Sequence, residues 1–248
     1  MITHHVDVGP ARIRLAFTER ADGDFAVPAV GAAEPEALRH RRAAVAAGRW
    51  AWLRQVHGST VVRVGGGDPV AGAEGDALVS AEPGTPLAVQ TADCVPILLW
   101  STDAARSGGD RPVVAAVHAG WRGLYDGVVE ATVAAMREEG ARSIGAAIGP
   151  HILPGHYEFS AADLTTMALR FGPDVVASTH HGEPALDLAA ATRTALRIER
   201  VTVDGLVDGP MAQLCTASTI LGGAPRFYSW RARRDRERQC SVIWVESA

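Results

Sequence analysis

Residues 114–123 read VAAVHAGWRG, and this stretch indicates where a buried strand ends and a helix begins. Small and β-branched apolar residues run up to His118, and two glycines then flank Trp121 and Arg122. A short apolar run that ends in glycine is typical of a buried strand. The residues that follow, 124–140, have apolar side chains at helical spacing and stop at a glycine. A strand that ends at a histidine before a helix predicts an α/β fold with a polar site at the strand end.

Similar apolar runs recur along the chain and predict its organisation. They occupy residues 50–56, 59–64, 76–80, 86–90, 95–100, 112–118, 143–149, 226–230 and 241–245. Helical patterns cover 34–48, 124–140, 160–172 and 184–200, and the third opens with a capping pair, Ser160 and Asp163. Because strands outnumber helices and come in batches, we predict a layered α/β fold with a mixed sheet covered by helices, in a single domain over residues 1–248.

Composition excludes several classes of protein. The chain has 248 residues, 47% of them hydrophobic, and a formal net charge of −4. A nucleic-acid binder is expected to carry a basic stripe. The one dense basic stretch, RARRDRERQ at 231–239, contains two acidic residues and predicts a solvated hairpin loop. All 24 cationic side chains are arginines, which excludes lysine Schiff bases and the P-loop lysine.

The number of cysteines and the hydropathy of the sequence indicate the cellular compartment of the protein. The three cysteines are too few for a disulfide framework, and no apolar leader follows Met1. The longest apolar stretch, residues 87–100, is too short for a membrane span and contains Asp93. We therefore expect a cytoplasmic protein with reduced thiols and no membrane partner.

Three residues with metal-binding side chains lie where apolar strands break: His57, Cys94 and His118. Two imidazoles and a thiolate suit a Zn²⁺ site with an open fourth position. Their separations, 37 and 24 residues, match no zinc-finger spacing. A second interpretation stays open, in which Cys94 is a nucleophile and His118 or His57 its base. Asp93 is unfavourable for that role, because a neighbouring carboxylate raises the pKa of a thiol.

Arg122 follows His118 by four residues and precedes the predicted helix at 124–140. A guanidinium at a helix N-terminus attracts phosphate or carboxylate. A surface salt bridge is an equally good interpretation of this residue.

Seven motifs in order along the chain resemble the laccase-domain, or multicopper polyphenol oxidase-like, family of zinc-dependent purine nucleoside phosphorylases. They are QVHG (55–58), DALVS (76–80), QTADCVPILL (90–99), VAAVHAGWRG (114–123), AAIGP (146–150), LCT (214–216) and FYSWR (227–231). The resemblance implies an α/β/β/α fold similar to the catalytic domains of deamidating toxins. It also implies a metal triad of His57, Cys94 and His118.

The resemblance further implies phosphorolysis of adenosine and inosine, with methylthioadenosine cleavage and adenosine deamination as additional activities. It implies that Arg122 and Arg20 hold phosphate, and that Gln55 and Asp93 orient the metal ligands. Zinc fits the triad better than copper, because laccase chemistry needs several copper sites. The expected partners are purine nucleosides and phosphate, and the expected assembly is a monomer or a weak homodimer.

Two other hypotheses stay open on the same fold. The first is a Cys94-dependent hydrolase or amidase that edits peptidoglycan precursors. The second is a non-enzymatic paralogue that binds a ligand or a partner protein, which the intact His57, Cys94 and His118 set argues against.

Overall fold

The structure is a computed structural model that describes residues 1–28, 33–66, 70–103, 111–205, 211 and 213–246. The described residues form two six-stranded sheets, two short hairpins and six α-helices. None of these helices is long and apolar enough to cross a membrane.

The first sheet contains the two ends of the chain. Its strands are β1 (Ile2–Val8), β2 (Ala11–Phe17), β3 (Ala51–Arg54), β5 (Ala71–Glu74), β7 (Leu87–Thr91) and β16 (Gln239–Val245). Their order is β1-β2-β16-β7-β3-β5, and β3 runs parallel to both of its neighbours while the other pairs are antiparallel.

The second sheet holds the middle of the chain. Its strands are β4 (Val61–Arg63), β6 (Ala77–Ser80), β8 (Val95–Ser101), β9 (Val114–Ala119), β10 (Ile144–Ile148) and β13 (Thr202–Val203). Their order is β13-β10-β8-β9-β6-β4, with parallel pairs at the two edges only. The small hairpins are β11 (Val176–Ser178) with β12 (Pro184–Leu186), and β14 (Ile220–Leu221) with β15 (Ala224–Pro225).

Five helices cover the outer faces of the two sheets. They are α1 (Glu36–Val45), α2 (Trp121–Tyr125), α3 (Val128–Glu138), α4 (Ala161–Phe171) and α5 (Leu188–Ile198). A sixth short helix, α6 (Trp230–Arg233), lies between β15 and β16. Asp187 caps α5 by accepting a hydrogen bond from the backbone N–H of Ala190 at 2.8 Å.

Side-chain alternation along the strands places the cores between layers. In β8, Ile97 and Leu99 pack against the α2–α5 side, whereas Leu98 and Trp100 pack between the sheets. Leu38 of α1 packs on the opposite face of the first sheet. The layers are therefore α1, first sheet, second sheet and α2–α5, which confirms the expected α/β/β/α arrangement.

Several predicted elements are confirmed and others need correction. The predicted helix at 160–172 is α4, and Ser160 caps it by accepting a hydrogen bond from the N–H of Asp163 at 3.1 Å. The predicted helix at 124–140 is wrong in its continuity. Gly127, with φ at +87°, separates α2 from α3. The predicted helix at 184–200 begins instead with strand β12, and α5 starts after Asp187.

The predicted strand at 226–230 is wrong. Phe227 and Tyr228 are buried, but they lie in a loop that leads into α6. Ser229 begins that helix, since its hydroxyl accepts a hydrogen bond from the N–H of Ala232. This loop contains aromatic residues that are buried, and because aromatic residues are also enriched in strands, its composition resembles that of a strand.

Candidate metal centre

The fold brings His57, Cys94 and His118 into one cluster. His57 lies in the loop after β3, Cys94 at the start of β8, and His118 in β9. One ligand atom from each lies within 4.8 Å of the other two, and Cys94 Sγ is 3.7 Å from His57 Nε2. Among the described residues this is the one group of three or more histidine, cysteine or acidic side chains arranged to hold a metal ion.

Asp76 organises both histidines from the base of the cluster. This fully buried carboxylate lies 2.8 Å from His118 Nδ1, which leaves Nε2 of that ring for a metal. It also accepts hydrogen bonds from the backbone N–H groups of His57 and Gly58, at 2.9 and 2.7 Å. One side chain thus fixes the ring of His118 and the backbone of the loop that carries His57.

The His57 loop is held in an uncommon conformation. His57 has φ of +61°, in the left-handed region that costs a non-glycine residue on the order of 1 kcal/mol. The hydrogen bonds to Asp76 stabilise this backbone and direct the imidazole toward Cys94.

Both glycines of the HAGWRG motif allow close approaches around His57. A Cβ on Gly120 would lie 2.7 Å from His57 Cδ2 and 3.3 Å from Cys94 Sγ. A Cβ on Gly123 would lie 2.8 Å from the carbonyl oxygen of Gly58. These positions require glycine because the loop that carries one metal ligand packs directly on them.

Charge interactions prepare the cluster for a cation. Burial opposes ionisation of Cys94, but the neighbouring His118 and His57 outweigh it and lower the pKa of this thiol to about 6. Burial likewise opposes protonation of His118, but Cys94 and Asp76 outweigh it and raise the pKa of this imidazole. A thiolate therefore forms readily at neutral pH, and a thiolate is the ligand form of cysteine.

The cluster lies in a cavity of about 630 Å³ with aromatic and cationic walls. Trp121, Tyr157 and Trp230 contribute aromatic surface to this cavity. Its cationic lining residues are Arg54, Arg122, Arg231, Arg236 and Arg238. Aromatic faces bind planar apolar rings, and guanidinium groups bind phosphate and carboxylate.

Asp93 lines the cavity and anchors one of its walls through hydrogen bonds. Among the described residues, its side chain forms no hydrogen bond with His57, Cys94 or His118. Its Oδ1 accepts hydrogen bonds from the hydroxyls of Thr216 and Ser229, at 2.7 and 2.6 Å, and its Oδ2 accepts one from the N–H of Arg231 at 2.7 Å. Burial and the two histidines set the pKa of the Cys94 thiol, and the unfavourable effect of Asp93 expected from sequence is not among the causes of its shift.

Gln55 ties two strand ends together beside the cavity. Its amide exchanges two hydrogen bonds with the backbone of Gln90, at 2.7 and 2.8 Å. It therefore orients the end of β3, from which the His57 loop departs, and does not bond the His57 ring.

The two arginines expected to hold phosphate are placed differently. Arg122 is exposed, lines the cavity and stacks on Trp121 at 4.6 Å. Arg20 is not among the residues that line the cavity. Its guanidinium lies 2.7 Å from Asp235 and stacks on Tyr228.

The basic stretch at 231–239 is not the solvated hairpin loop that its composition predicts. Helix α6 and the loop after it form a wall of the cavity, with Arg231, Arg236 and Arg238 among the lining residues. Asp93 and Asp235 hold this segment in place through hydrogen bonds to the N–H groups of Arg231 and Ser229.

Sequence reasoning missed Asp76, Gly120 and Tyr157 as site residues. The DALVS motif begins at Asp76, and a carboxylate at the start of a buried strand was a signal for a buried polar role. Tyr157 is buried and follows a short turn at 154–156, and its sequence context carries no comparable signal.

Similarity to a known protein family extends over most of the chain. Residues 30–246 match the family described as multi-copper polyphenol oxidoreductase laccase. The chain belongs to this family. Its resemblance to the family, expected from the motifs, is thereby confirmed.

Named relatives and a solved structure agree with this membership. The purine nucleoside phosphorylase of Streptomyces coelicolor is 36% identical, with 94% of this chain and 95% of that protein covered. Purine nucleoside phosphorylase YfiH of Shigella flexneri is 35% identical over 78% of this chain and 73% of that protein. The crystal structure of protein NMB0706 of Neisseria meningitidis superposes with a TM-score of 0.72, at 26% identity and 99% coverage of both chains.

The donor atoms of His57, Cys94 and His118 fit a metal ion with tetrahedral coordination. Zinc bonds of about 2.3 Å to sulfur and about 2.0 Å to nitrogen place two ligand atoms about 3.6 Å apart at a tetrahedral angle. The Cys94 Sγ to His57 Nε2 distance is 3.7 Å. Asp76 supplies the carboxylate that commonly supports a metal-bound histidine.

Proposed function

We propose that this protein is a zinc-dependent purine nucleoside phosphorylase that cleaves adenosine and inosine, with methylthioadenosine as a further substrate. The observation that carries the proposal is the cluster of His57, Cys94 and His118 at a cavity lined by aromatic and arginine side chains. Relatives that bear the name purine nucleoside phosphorylase support the same reaction class.

The residues of the triad support zinc over copper. Two imidazoles and one thiolate at tetrahedral spacing suit Zn²⁺, which when bound supplies a Lewis acid with an open fourth position. Laccase chemistry uses several copper centres, and the described residues contain one cluster of this kind.

Phosphate is held by Arg122 in this proposal. The side chain is exposed at the cavity, and no carboxylate among the described residues forms an ion pair with it. Stacking on Trp121 limits the rotamers of this guanidinium, which lowers the entropy lost when it binds an anion. Arg20 is a weaker candidate, since Asp235 already neutralises it.

The purine ring is bound by the aromatic wall. Trp121 and Tyr157 line the same cavity as the triad, and so does Trp230, which is 44% exposed. Flat aromatic surface beside a triad is suited to stacking a purine, which orders the base and shields the reacting bond from water.

Incubation of zinc-loaded protein with adenosine, with and without phosphate, tests the proposal. We expect adenine and ribose 1-phosphate in the presence of phosphate and no adenine in its absence. Inosine as product would show the adenosine deaminase activity that we propose as a second reaction of the same site. His118→Ala, which removes a ligand, should abolish both reactions, and absence of cleavage by the zinc-loaded wild type would refute the proposal.

A Cys94-dependent hydrolase or amidase is the second candidate. The thiol pKa of about 6 and the neighbouring histidines give Cys94 the features of a nucleophile. Chelation separates the two candidates. Activity that is lost with a chelator and restored by zinc supports the phosphorylase, whereas activity that survives chelation and is blocked by alkylation of Cys94 supports the hydrolase.

A further inference from the structure

The cavity holds more positive charge than one phosphate needs. Of its five arginines, Arg54 pairs with Glu74. No carboxylate among the described residues forms an ion pair with the other four, which are Arg122, Arg231, Arg236 and Arg238. Asp93 is the one acidic side chain in the described lining, and its oxygens already accept three hydrogen bonds.

These four arginines form two pairs at different places in the lining. Arg122 follows β9 of the second sheet and Arg231 belongs to α6, and both lie near Tyr157, over which Arg231 stacks at 4.8 Å. Arg236 and Arg238 come from the loop that leads into β16 of the first sheet. The N–H of Arg238 donates to Asp24 at 2.9 Å, which places this loop against the segment that lines the cavity with Ala26 and Val27.

One anion does not account for both pairs. A purine nucleoside is neutral, and inorganic phosphate brings at most two negative charges near pH 7. Two guanidinium groups with their paired donors are sufficient for one phosphate. Four guanidinium groups without a carboxylate partner in the described part of the chain give one cavity a positive potential that attracts anions. Since one phosphate engages one pair, the second pair indicates a second anionic group in the ligand.

We propose that Arg236 and Arg238 form a second anion subsite, which binds a phosphate esterified to the nucleoside, so that purine nucleoside monophosphates are preferred ligands of this cavity. The proposal rests on the proposed phosphorylase function for its reaction, and on the arginines alone for binding. In that reaction an oxygen of hydrogen phosphate bonds to C1′ as the bond from C1′ to N9 breaks. The base leaves with the electron pair and takes the proton that hydrogen phosphate gives up, and the sugar product carries phosphate on C1 and C5.

Arg236 offers the clearer test of the two. Its side chain is exposed and makes no recorded hydrogen bond, so its replacement leaves the loop intact. Arg238 is less suitable because its Nη1 donates to the carbonyls of Asp235, Arg236 and Glu237 and thereby shapes the loop.

Calorimetric titration of the zinc-loaded protein with AMP and with adenosine, without phosphate, measures the subsite in the absence of phosphorolysis, and chromatography of the titrated sample checks that adenosine was not deaminated. We expect AMP to bind about tenfold more tightly than adenosine, as two charge-assisted hydrogen bonds would produce. Arg236→Ala should remove most of this difference and Arg236→Glu all of it, with adenosine affinity unchanged. Arg39→Ala is the matched control, since Arg39 is an exposed arginine of helix α1 outside the cavity lining.

Repeating the titration in saturating sulfate, which resembles phosphate but does not cleave nucleosides, distinguishes an ester-phosphate subsite from the co-substrate site. A difference between AMP and adenosine that persists supports two subsites, and a difference that sulfate abolishes overturns the inference. Equal affinities for the two ligands, or an AMP preference that survives both Arg236 substitutions, would also overturn it. Cleavage of adenosine with no AMP preference would leave the phosphorylase proposal standing, whereas an Arg236-dependent AMP preference without cleavage would refute only the phosphorylase.

Discussion

At the scale of single residues, the Asp76 carboxylate decides where two of the three candidate metal ligands lie. It is fully buried and bonds the His118 ring and the backbone of His57 and Gly58. Burial opposes its ionisation, but its bonds to His118 and to these N–H groups lower the pKa of the carboxyl group overall. Asp76 therefore stays ionised at neutral pH and provides a fixed negative charge beneath the metal site.

Asp76→Asn should weaken zinc binding about 10- to 100-fold, the range usual for loss of a carboxylate that supports a histidine ligand. The amide keeps the size of the side chain but removes its charge and one acceptor. Competition with a chromophoric chelator measures the affinity. Asp7→Asn, the same change at an exposed carboxylate on β1, is the control and should bind zinc like the wild type. Unchanged affinity in Asp76→Asn would contradict this account.

Gly120→Ala should reduce zinc occupancy while leaving the chain folded. The new methyl group would lie 2.7 Å from His57 Cδ2, so the imidazole must turn away from Cys94. An imidazole at the end of a side chain can move, whereas a backbone atom could not without disrupting the fold. Metal analysis of the purified variant gives the occupancy. Gly205→Ala, where the methyl group meets no heavy atom within 4 Å, is the matched control, and equal zinc content in both variants would refute the steric argument.

At the scale of elements, Asp93 joins strand β8 to the wall formed by α6 and the following loop. The residue has φ of +111° and directly precedes Cys94, so its backbone sets the turn that presents the thiol. Its carboxylate bonds Thr216, Ser229 and the N–H of Arg231, from segments more than 100 residues away in sequence. The metal triad and the arginine wall are thus positioned by the same residue.

Asp93→Asn should destabilise the protein by about 1–3 kcal/mol, because a buried acceptor for three donors loses its charge. Zinc is expected to stay bound, since Asp93 has no recorded bond to the triad, while the KM for phosphate rises more than kcat falls as Arg231 loses its anchor. Urea denaturation and steady-state kinetics measure these effects. Ser229→Ala, which removes one of the three donors, should show a smaller change of the same kind. Loss of zinc from Asp93→Asn without a change in the KM for phosphate would show that the residue acts on Cys94 instead.

At the scale of the whole molecule, the site forms where loops of both sheets meet. His57 follows a strand of the first sheet, His118 belongs to the second, and Cys94 lies at the crossing from one to the other. The cavity is completed by α6 and its loop, from the end of the chain. The assignment of residues 1–248 to a single domain stays a prediction, and so does the monomeric or weakly dimeric state.

The tertiary surroundings of Cys94 predict the pH dependence of its alkylation in metal-free protein. With a pKa of about 6, the thiolate predominates above that pH, so the rate with iodoacetamide should level off near pH 7. At pH 5 it should fall to about a tenth of the plateau, since the thiolate fraction drops tenfold per pH unit below the pKa. Mass spectrometry locates the label, and Cys215 and Cys240, which are 2% and 1% exposed, should stay unlabelled.

Two controls define this experiment. Zinc should protect Cys94, because coordination occupies the thiolate. The urea-unfolded chain should be labelled at all three cysteines with a midpoint near the ordinary thiol value of about 8.5. A midpoint near that ordinary value in the folded, metal-free protein would show that the histidines do not stabilise the thiolate.

Much of the fold was readable from local sequence because its strands are buried on both faces. Uninterrupted apolar runs such as VPILLW have no polar face, and they predicted β8, β9 and β10 close to their observed bounds. The strands β1 and β2 were not predicted, since His4, His5, Arg12 and Arg14 interrupt their apolar residues. Local patterns did not predict the separation of the strands into two sheets, which the family resemblance alone implied, because strand pairing is not encoded in any short window.

By itself, the sequence determined the residue types of the candidate site: two histidines and a cysteine at breaks in apolar strands, and the glycines of HAGWRG. Local composition suffices for this, because polar side chains at the ends of apolar strands lie where loops build sites. Only the tertiary structure decided that Asp76 supports both histidines, that Asp93 anchors a distant wall, and that Arg231, Arg236 and Arg238 line the cavity that holds the triad. These contacts join residues far apart in the chain, so they depend on the packing of the two sheets and on where that packing places each loop.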